Sequence, residues 1–258
     1  MDVLTPRTLE EALRLKAERP DAVPIQGGTD VMVELNFDRA RPTALLNLNE
    51  VAELRGWSRD NGKFRLGSGL TYTEAMQLVD QLGALAEASR TVGGPQIRNR
   101  GTIGGNLGTA SPAGDALPPL LVYGAEVELA STAGSRTMPL TEFLVGPKQN
   151  ALAPDELIVA VRLEAPGPRQ TFMKIGPRNA MVIAVVSLAL IVEDKIRVSF
   201  GSAGPVPGLV SVPIDEADDL PDRVAEAASP IDDVRGTAQY RRHALRILTA
   251  RALVRCLT

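Results

Sequence analysis

Two glycine-rich stretches hold the residue types best suited to chemistry in this chain. The shorter is Pro24-Ile25-Gln26-Gly27-Gly28-Thr29-Asp30. The longer, TVGGPQIRNRGTIGGNLGTASPAGD from Thr91 to Asp115, packs seven glycines into 25 residues. Its two Gly-Gly pairs, Gly93-Gly94 and Gly104-Gly105, lie eleven residues apart. Glycine lets backbone N–H groups approach an anion with no Cβ in the way. Thr102, Asn106 and Ser111 add neutral donors. Asp115 would repel a phosphate but can accept hydrogen bonds from ribose or ribityl hydroxyls. Together the two stretches suit a grip on one nucleotide-like anion. Taken alone, the short one also reads as a plain tight turn and the long one as a surface loop with several turns. Neither matches G-x-G-x-x-G or G-x-x-x-x-G-K-[ST], so dinucleotide-fold and P-loop sites are disfavoured.

Other chemistries are excluded by what is scarce. Among 258 residues there is one cysteine, Cys256, and one histidine, His243. That leaves no internal disulfide, no cysteine-ligated iron–sulfur cluster within the chain and no multi-histidine zinc site. Any redox chemistry belongs to a bound cofactor. The net charge of -3 argues against nucleic acid as a partner. The longest apolar run, Met181 to Val192, is too short to span a membrane, and MDVLTPRTLEEAL lacks the form of a signal peptide. A cytoplasmic protein with no membrane span is expected.

These loops need positioning elements. Thr5-Pro6 predicts a helix start, closed by Pro20. Residues 22–26 read as a short buried strand entering Gly27-Gly28, and VMVELN after Asp30 reads as one or two helical turns. Such a strand–Gly-Gly–helix unit aims free N–H groups at a phosphate. Strands are expected over 43–48, 63–66, 126–130 and 157–163, with a Thr71/Glu74 capping box and a helix over 85–92. The stretch 91–115 itself is expected to form neither helix nor strand. Beyond Pro166-Gly167-Pro168 a new sheet begins at 170–175, followed by a hairpin of 182–192 with 196–201. Residues 203–220 read as irregular, and 222–228 and 238–257 as helices. The pattern is α+β throughout. It divides into a larger N-terminal part over 1–166 and a smaller C-terminal one over 167–258.

Three segments, PIQGGTDVM at 24–32, TIGGNLGTASPAGD at 102–115 and KIGPRNAMVIAVVSLAL at 174–190, give the chain a family likeness. It resembles the FAD-binding (medium) subunit of molybdenum hydroxylases, the xanthine dehydrogenase and carbon monoxide dehydrogenase group. The resemblance runs over nearly the whole chain, including YRRHALRILTARAL at 240–253. It implies the FAD-binding fold of the vanillyl-alcohol oxidase/cresol hydroxylase type, in two α+β subdomains, followed by a small C-terminal α/β domain. It also implies that Pro24, Ile25, Gln26, Gly27, Gly28, Thr29, Asp30 and Val31 bind the FAD pyrophosphate together with Thr102, Ile103, Gly104, Gly105 and Asn106. Val92 and Ile158 would be apolar FAD contacts, Asp115 an acidic one, and Lys174 a cation beside the flavin. Arg178-Asn179-Ala180-Met181 falls near the flavin ring, where some members carry an acidic or aromatic residue. The implied role is electron relay. Electrons from a molybdopterin large subunit would cross an iron–sulfur small subunit to FAD here, then pass to NAD⁺ or another acceptor. A xanthine or related purine is the substrate class weakly indicated. A stand-alone flavin reductase or oxidase of the same fold is the alternative, and a cofactor-free scaffold domain is the non-enzyme reading.

Apart from the likeness, Lys174 reads as an ordinary edge-strand lysine. Arg98 and Arg100 could contact the phosphates but read by default as solvated or subunit-facing, Trp57 reads as a core or rim residue rather than a flavin-stacking one, and His243 as a solvated or interface helix residue. Cys256 reads as an apolar filler. The arginines 241, 242, 246, 251 and 255 read by default as a solvated basic face of the last helix.

Overall fold

The computed structural model describes residues 1–258. Its first layer is small. Strand β1 (Asp2–Leu4), helix α1 (Leu9–Glu18), strand β2 (Val23–Ile25), helix α2 (Val31–Asn36) and strand β3 (Ala44–Asn47) form a parallel sheet in the order β1-β3-β2. Thr8, rather than Thr5, caps α1, its Oγ1 accepting from the Glu11 N–H at 3.1 Å. Ala12, Leu46 and Leu54 pack here against Leu157 and Val159 of the next layer.

That layer is an antiparallel sheet in the order β4-β5-β10-β6-β7. The strand expected over 63–66 is β5 (Lys63–Gly67), and it forms a hairpin with β4 (Trp57–Asp60) around Asn61-Gly62. Five helices follow: α3 (Tyr72–Ala75), α4 (Gly83–Thr91), α5 (Pro95–Arg98), α6 (Ile103–Thr109) and α7 (Leu117–Val122). Then come β6 (Glu126–Ser131), β7 (Gly134–Pro139), α8 (Leu140–Phe143), the short pair β8 (Leu144–Gly146) and β9 (Gln149–Asn150), and β10 (Leu157–Glu164). Leu66, Leu85, Ile103, Leu107, Leu117 and Phe143 are fully or almost fully buried in the core between helices and sheet. Each such side chain contributes about 1.5–3 kcal/mol.

The last layer is the antiparallel meander β11 (Gln170–Ile175), β12 (Val186–Val192), β13 (Lys195–Gly201) and β14 (Gly208–Pro213), with α9 (Leu220–Ala227) and α10 (Ala238–Leu257). Every residue of β12 is buried, because α10 covers one face and α7 the other. Trp57 sits at a rim, half exposed, its ring 5.8 Å from that of Phe64. No helix is long and apolar enough to cross a membrane.

Three expectations fail on packing. The stretch 91–115 contains α5 and α6. Helix α6 forms despite three glycines because Thr102 caps it and Ile103 and Leu107 are anchored in the core, which outweighs propensity. The segment 203–220 contains β14 and a 3₁₀ turn. Its pairing with β13 supplies the backbone partners that its sequence pattern does not announce. Arg241 is 1% exposed rather than solvated, donating to Val185 O at 2.7 Å and Ser202 O at 2.6 Å and pairing with Asp233. Cys256 is buried as an apolar filler.

Candidate cofactor-binding site

A cleft of about 920 Å³ opens between the first layer and helix α6. That is the size of a cofactor site, roughly 300–1,000 Å³. Its two walls come from the two glycine stretches.

The first wall is the turn between β2 and α2. None of the five consecutive N–H groups from Gly27 to Val31 donates to any acceptor within the protein. Gly28 adopts φ +74°, a conformation that favours glycine. Gly27 is required for a different reason: a Cβ there would overlap the Arg100 carbonyl oxygen. Arg100 clamps the same point, donating to Gln26 O at 3.0 Å and Asn49 Oδ1 at 3.2 Å. Asp30 accepts from Thr109 Oγ1 at 2.8 Å, so the two walls are also tied across the cleft.

The second wall is α6. Its N–H groups are already used. Ile103 donates to Leu70 O (2.9 Å), Gly104 to Ser68 O (2.7 Å), Gly105 to Thr102 Oγ1 (3.0 Å) and Asn106 to Thr102 O (3.0 Å). The glycines serve approach instead. A Cβ on Gly104 would lie 2.5 Å from Ser68 Cβ and 2.7 Å from Ser68 O. A Cβ on Gly105 would meet only Thr102 Oγ1, at 3.1 Å, and point into the cleft.

At the inner end Lys174 donates to Asp115 Oδ2 (2.6 Å) and Thr91 O (3.2 Å), both charged side chains being less than a tenth exposed. Asp115 Oδ1 is buried and has no partner. Burial pushes the Asp115 carboxyl above the ordinary carboxylate range, and the Lys174 ammonium pulls it back. Ser68 Oγ and Asn106 Oδ1 are likewise buried and unpartnered, and both residues line the cleft. Tyr72 lines it too, its hydroxyl held far above the usual phenol value by burial, then by Asp115 and Asp30.

The structure brings together Pro24, Ile25, Gln26, Gly27, Gly28, Thr29, Asp30, Val31, Val92, Thr102, Gly104, Gly105, Asn106, Ser111, Asp115 and Ile158 around the cleft. Ile103 turns into the core, and Lys174 reaches the cleft only through Asp115. Arg98 is a staple rather than a solvated charge, its Nη1 donating to Val92 O (3.1 Å) and Gly93 O (2.9 Å). Sequence reasoning missed Ser68, Tyr72, Gly108 and the apolar Val182 and Ile183 at the mouth. The placing of 178–181 beside the ring was the signal for that mouth segment, and nothing in the pattern singled out Ser68.

This arrangement offers anion-binding N–H donors on one side and side-chain acceptors on the other. That is the demand of a ligand with both phosphates and hydroxyls. Comparison with known proteins agrees. Residues 1–166 match the family model described as the FAD binding domain in molybdopterin dehydrogenase. A xanthine dehydrogenase FAD-binding subunit of Escherichia coli O157:H7 is 29% identical over 95% of this chain and 92% of its own length. The nicotinate dehydrogenase FAD-subunit of Eubacterium barkeri is 34% identical over 75% of this chain and 69% of its own. Among solved structures, quinoline 2-oxidoreductase from Pseudomonas putida 86 superposes with a TM-score of 0.92 at 24% identity, covering 99% of this chain and 96% of that one. Carbon monoxide dehydrogenase from Hydrogenophaga pseudoflava does so at 0.90 and 23%, covering 99% and 98%. These two likenesses establish the α+β fold.

Proposed function

This chain belongs to the family of FAD-binding subunits of molybdenum hydroxylases, and we propose that it relays electrons between an iron–sulfur partner subunit and an external acceptor such as NAD⁺. The observation that carries the reading is the cleft's division: five unpaired N–H donors from Gly27 to Val31 face a wall with three buried, unpartnered side-chain oxygens. A dinucleotide with a polyol linker fits both. When bound, FAD supplies the redox chemistry, which no side chain here can.

The chain's own residues would bind and orient. Gly27 to Val31 would hold the pyrophosphate through N–H groups, with α6 closing over it from Thr102 to Asn106. Ser111 and Asp115 would face hydroxyl or N–H groups. Val92, Ile158, Met181 and Ile183 would cover apolar ring surface and exclude water. Lys174 would keep Asp115 in place from outside the cleft. We read 1–166, in its parts of about 1–50 and 51–166, as the cofactor domain and 167–258 as the C-terminal domain. One cysteine cannot hold an iron–sulfur cluster, so the clusters and the molybdopterin would reside on partner subunits. A nitrogen-heterocyclic substrate, of which xanthine is one, is supported by the relatives named for xanthine and nicotinate. A cytoplasmic site suits a chain without disulfides.

The test is purification of the native protein with its partners. Flavin absorption in this chain, together with an iron–sulfur and a molybdopterin subunit, is the expected result. Bleaching of the flavin bands by NADH would support NAD⁺ as the acceptor. No flavin bands, and no gain on adding FAD, would overturn the reading. Flavin without partner subunits would favour a stand-alone reductase or oxidase.

A further inference from the structure

We propose that Ser68 is a cofactor-binding residue and that, with Asn106 and the free oxygen of Asp115, it forms a polyol site for the ribityl hydroxyls of the flavin. The inference rests on the FAD reading above and assigns the inner wall of the same cleft.

Ser68 follows the last residue of β5 and is 3% exposed. Its backbone is pinned on both sides: the N–H donates to Val159 O at 2.9 Å and the C=O accepts from Gly104 at 2.7 Å. Yet its hydroxyl has no partner. Such a group costs stability unless something satisfies it. The neighbouring oxygens repeat the pattern. Asn106 lies two residues beyond Gly104, which packs so closely on Ser68 that a Cβ would lie 2.5 Å from the serine Cβ, and Gly114 packs closely on the Asn106 amide, a Cβ there lying 2.7 Å from Nδ2. Asp115 comes next. One wall therefore gathers three orphaned oxygens from β5, α6 and the turn before α7. The remaining orphaned atoms, Ser187, Ser199 and Ser202 Oγ and Arg241 Nε, all belong to the C-terminal layer, and none of those residues lines the cleft.

The chemistry narrows the ligand group. A carboxylate oxygen only accepts, so its partner must donate. A phosphate has no proton to offer at neutral pH and would be repelled by Asp115. A serine hydroxyl and a side-chain amide both donate and accept. A row of ligand hydroxyls can satisfy all three residues at once, donating to Asp115 while exchanging bonds with Ser68 and Asn106. The phosphates have their own donors on the opposite wall.

The test compares three probes on the full chain, stripped of flavin: FAD, riboflavin and lumiflavin, which keeps the ring but lacks the ribityl chain. Binding is read by quenching of flavin fluorescence. Ser68→Ala is expected to weaken FAD and riboflavin roughly five- to tenfold, the worth of one neutral hydrogen bond, and to leave lumiflavin unchanged. Its flavin-free melting temperature should not fall, since an unsatisfied hydroxyl is removed. Unchanged FAD affinity in Ser68→Ala, or an equal loss for lumiflavin, would overturn the assignment. A fall in the flavin-free melting temperature matching the affinity loss would assign Ser68 a structural role instead. Failure of the unaltered chain to bind FAD at all would instead overturn the functional reading itself.

Discussion

The two walls of the cleft use the same residue for opposite ends. In the Gly27–Val31 turn the N–H groups stay free of protein acceptors. In α6 the N–H groups of Gly104 and Gly105 are consumed by Ser68 O and Thr102 Oγ1. There Gly104 lets helix and sheet touch, while Gly105 keeps the cleft clear of a side chain. One wall thus presents backbone donors and the other presents side-chain acceptors. A Gly-Gly pair in a sequence announces that backbone is needed bare. It does not say whether a ligand or another segment of the chain will occupy the space.

The largest expected effect comes from the support of the acceptor wall. Lys174→Met leaves the Asp115 carboxylate buried without its cation, and unfolding by denaturant should show a loss of about 3–5 kcal/mol. Adding Asp115→Asn should restore much of it. No recovery in the double variant would mean that Lys174 matters for packing alone. Next comes Gly104→Ala, which pushes a methyl into Ser68 and should cost about 1–3 kcal/mol by thermal unfolding. Its neighbour separates the two uses of glycine. Gly105→Val should leave the flavin-free fold within about 1 kcal/mol of the parent while blocking FAD in a fluorescence titration, because its side chain enters the cleft. Normal FAD affinity in that variant would contradict the assigned cleft. The smallest effect lies outside both walls. Asp233 titrates at about 2, since against the opposing pull of burial it is bonded and charge-paired to Arg235 and charge-paired to Arg241. A carboxylate lowered from its ordinary 3.8 stabilises the fold above that pH and ceases to do so as pH falls through about 2. Asp233→Asn should therefore flatten the stability profile between these values, measured by acid titration of unfolding.

Much of the frame could be read from residues. The strand that becomes β5, the Thr71/Glu74 capping box, the apolar run that becomes β12 and the strand–Gly-Gly–helix unit each carry local signals with a physical cause. What escaped depends on partners distant in sequence. Helix α6 is held by Ser68, Leu70 and the core, none of which its own glycines foretell. β14 is a strand because β13 pairs with it. Arg241 is buried because Val185, Ser202 and Asp233 converge on it from three segments. The cleft itself was legible as two loops, while its polarity was not. Which N–H groups remain free is decided by tertiary acceptors, and Ser68 is an ordinary serine until Gly104 lies against it.

The division of labour between the walls is tested most directly by backbone amide NMR during titration with ADP, which carries a pyrophosphate without flavin. The large shifts are expected at Gly27, Gly28, Thr29, Asp30 and Val31, with Gly104 and Gly105 changing little because their N–H groups are already bonded within the fold. The reverse pattern, with Gly104 and Gly105 moving and Gly27 to Val31 silent, would contradict the account.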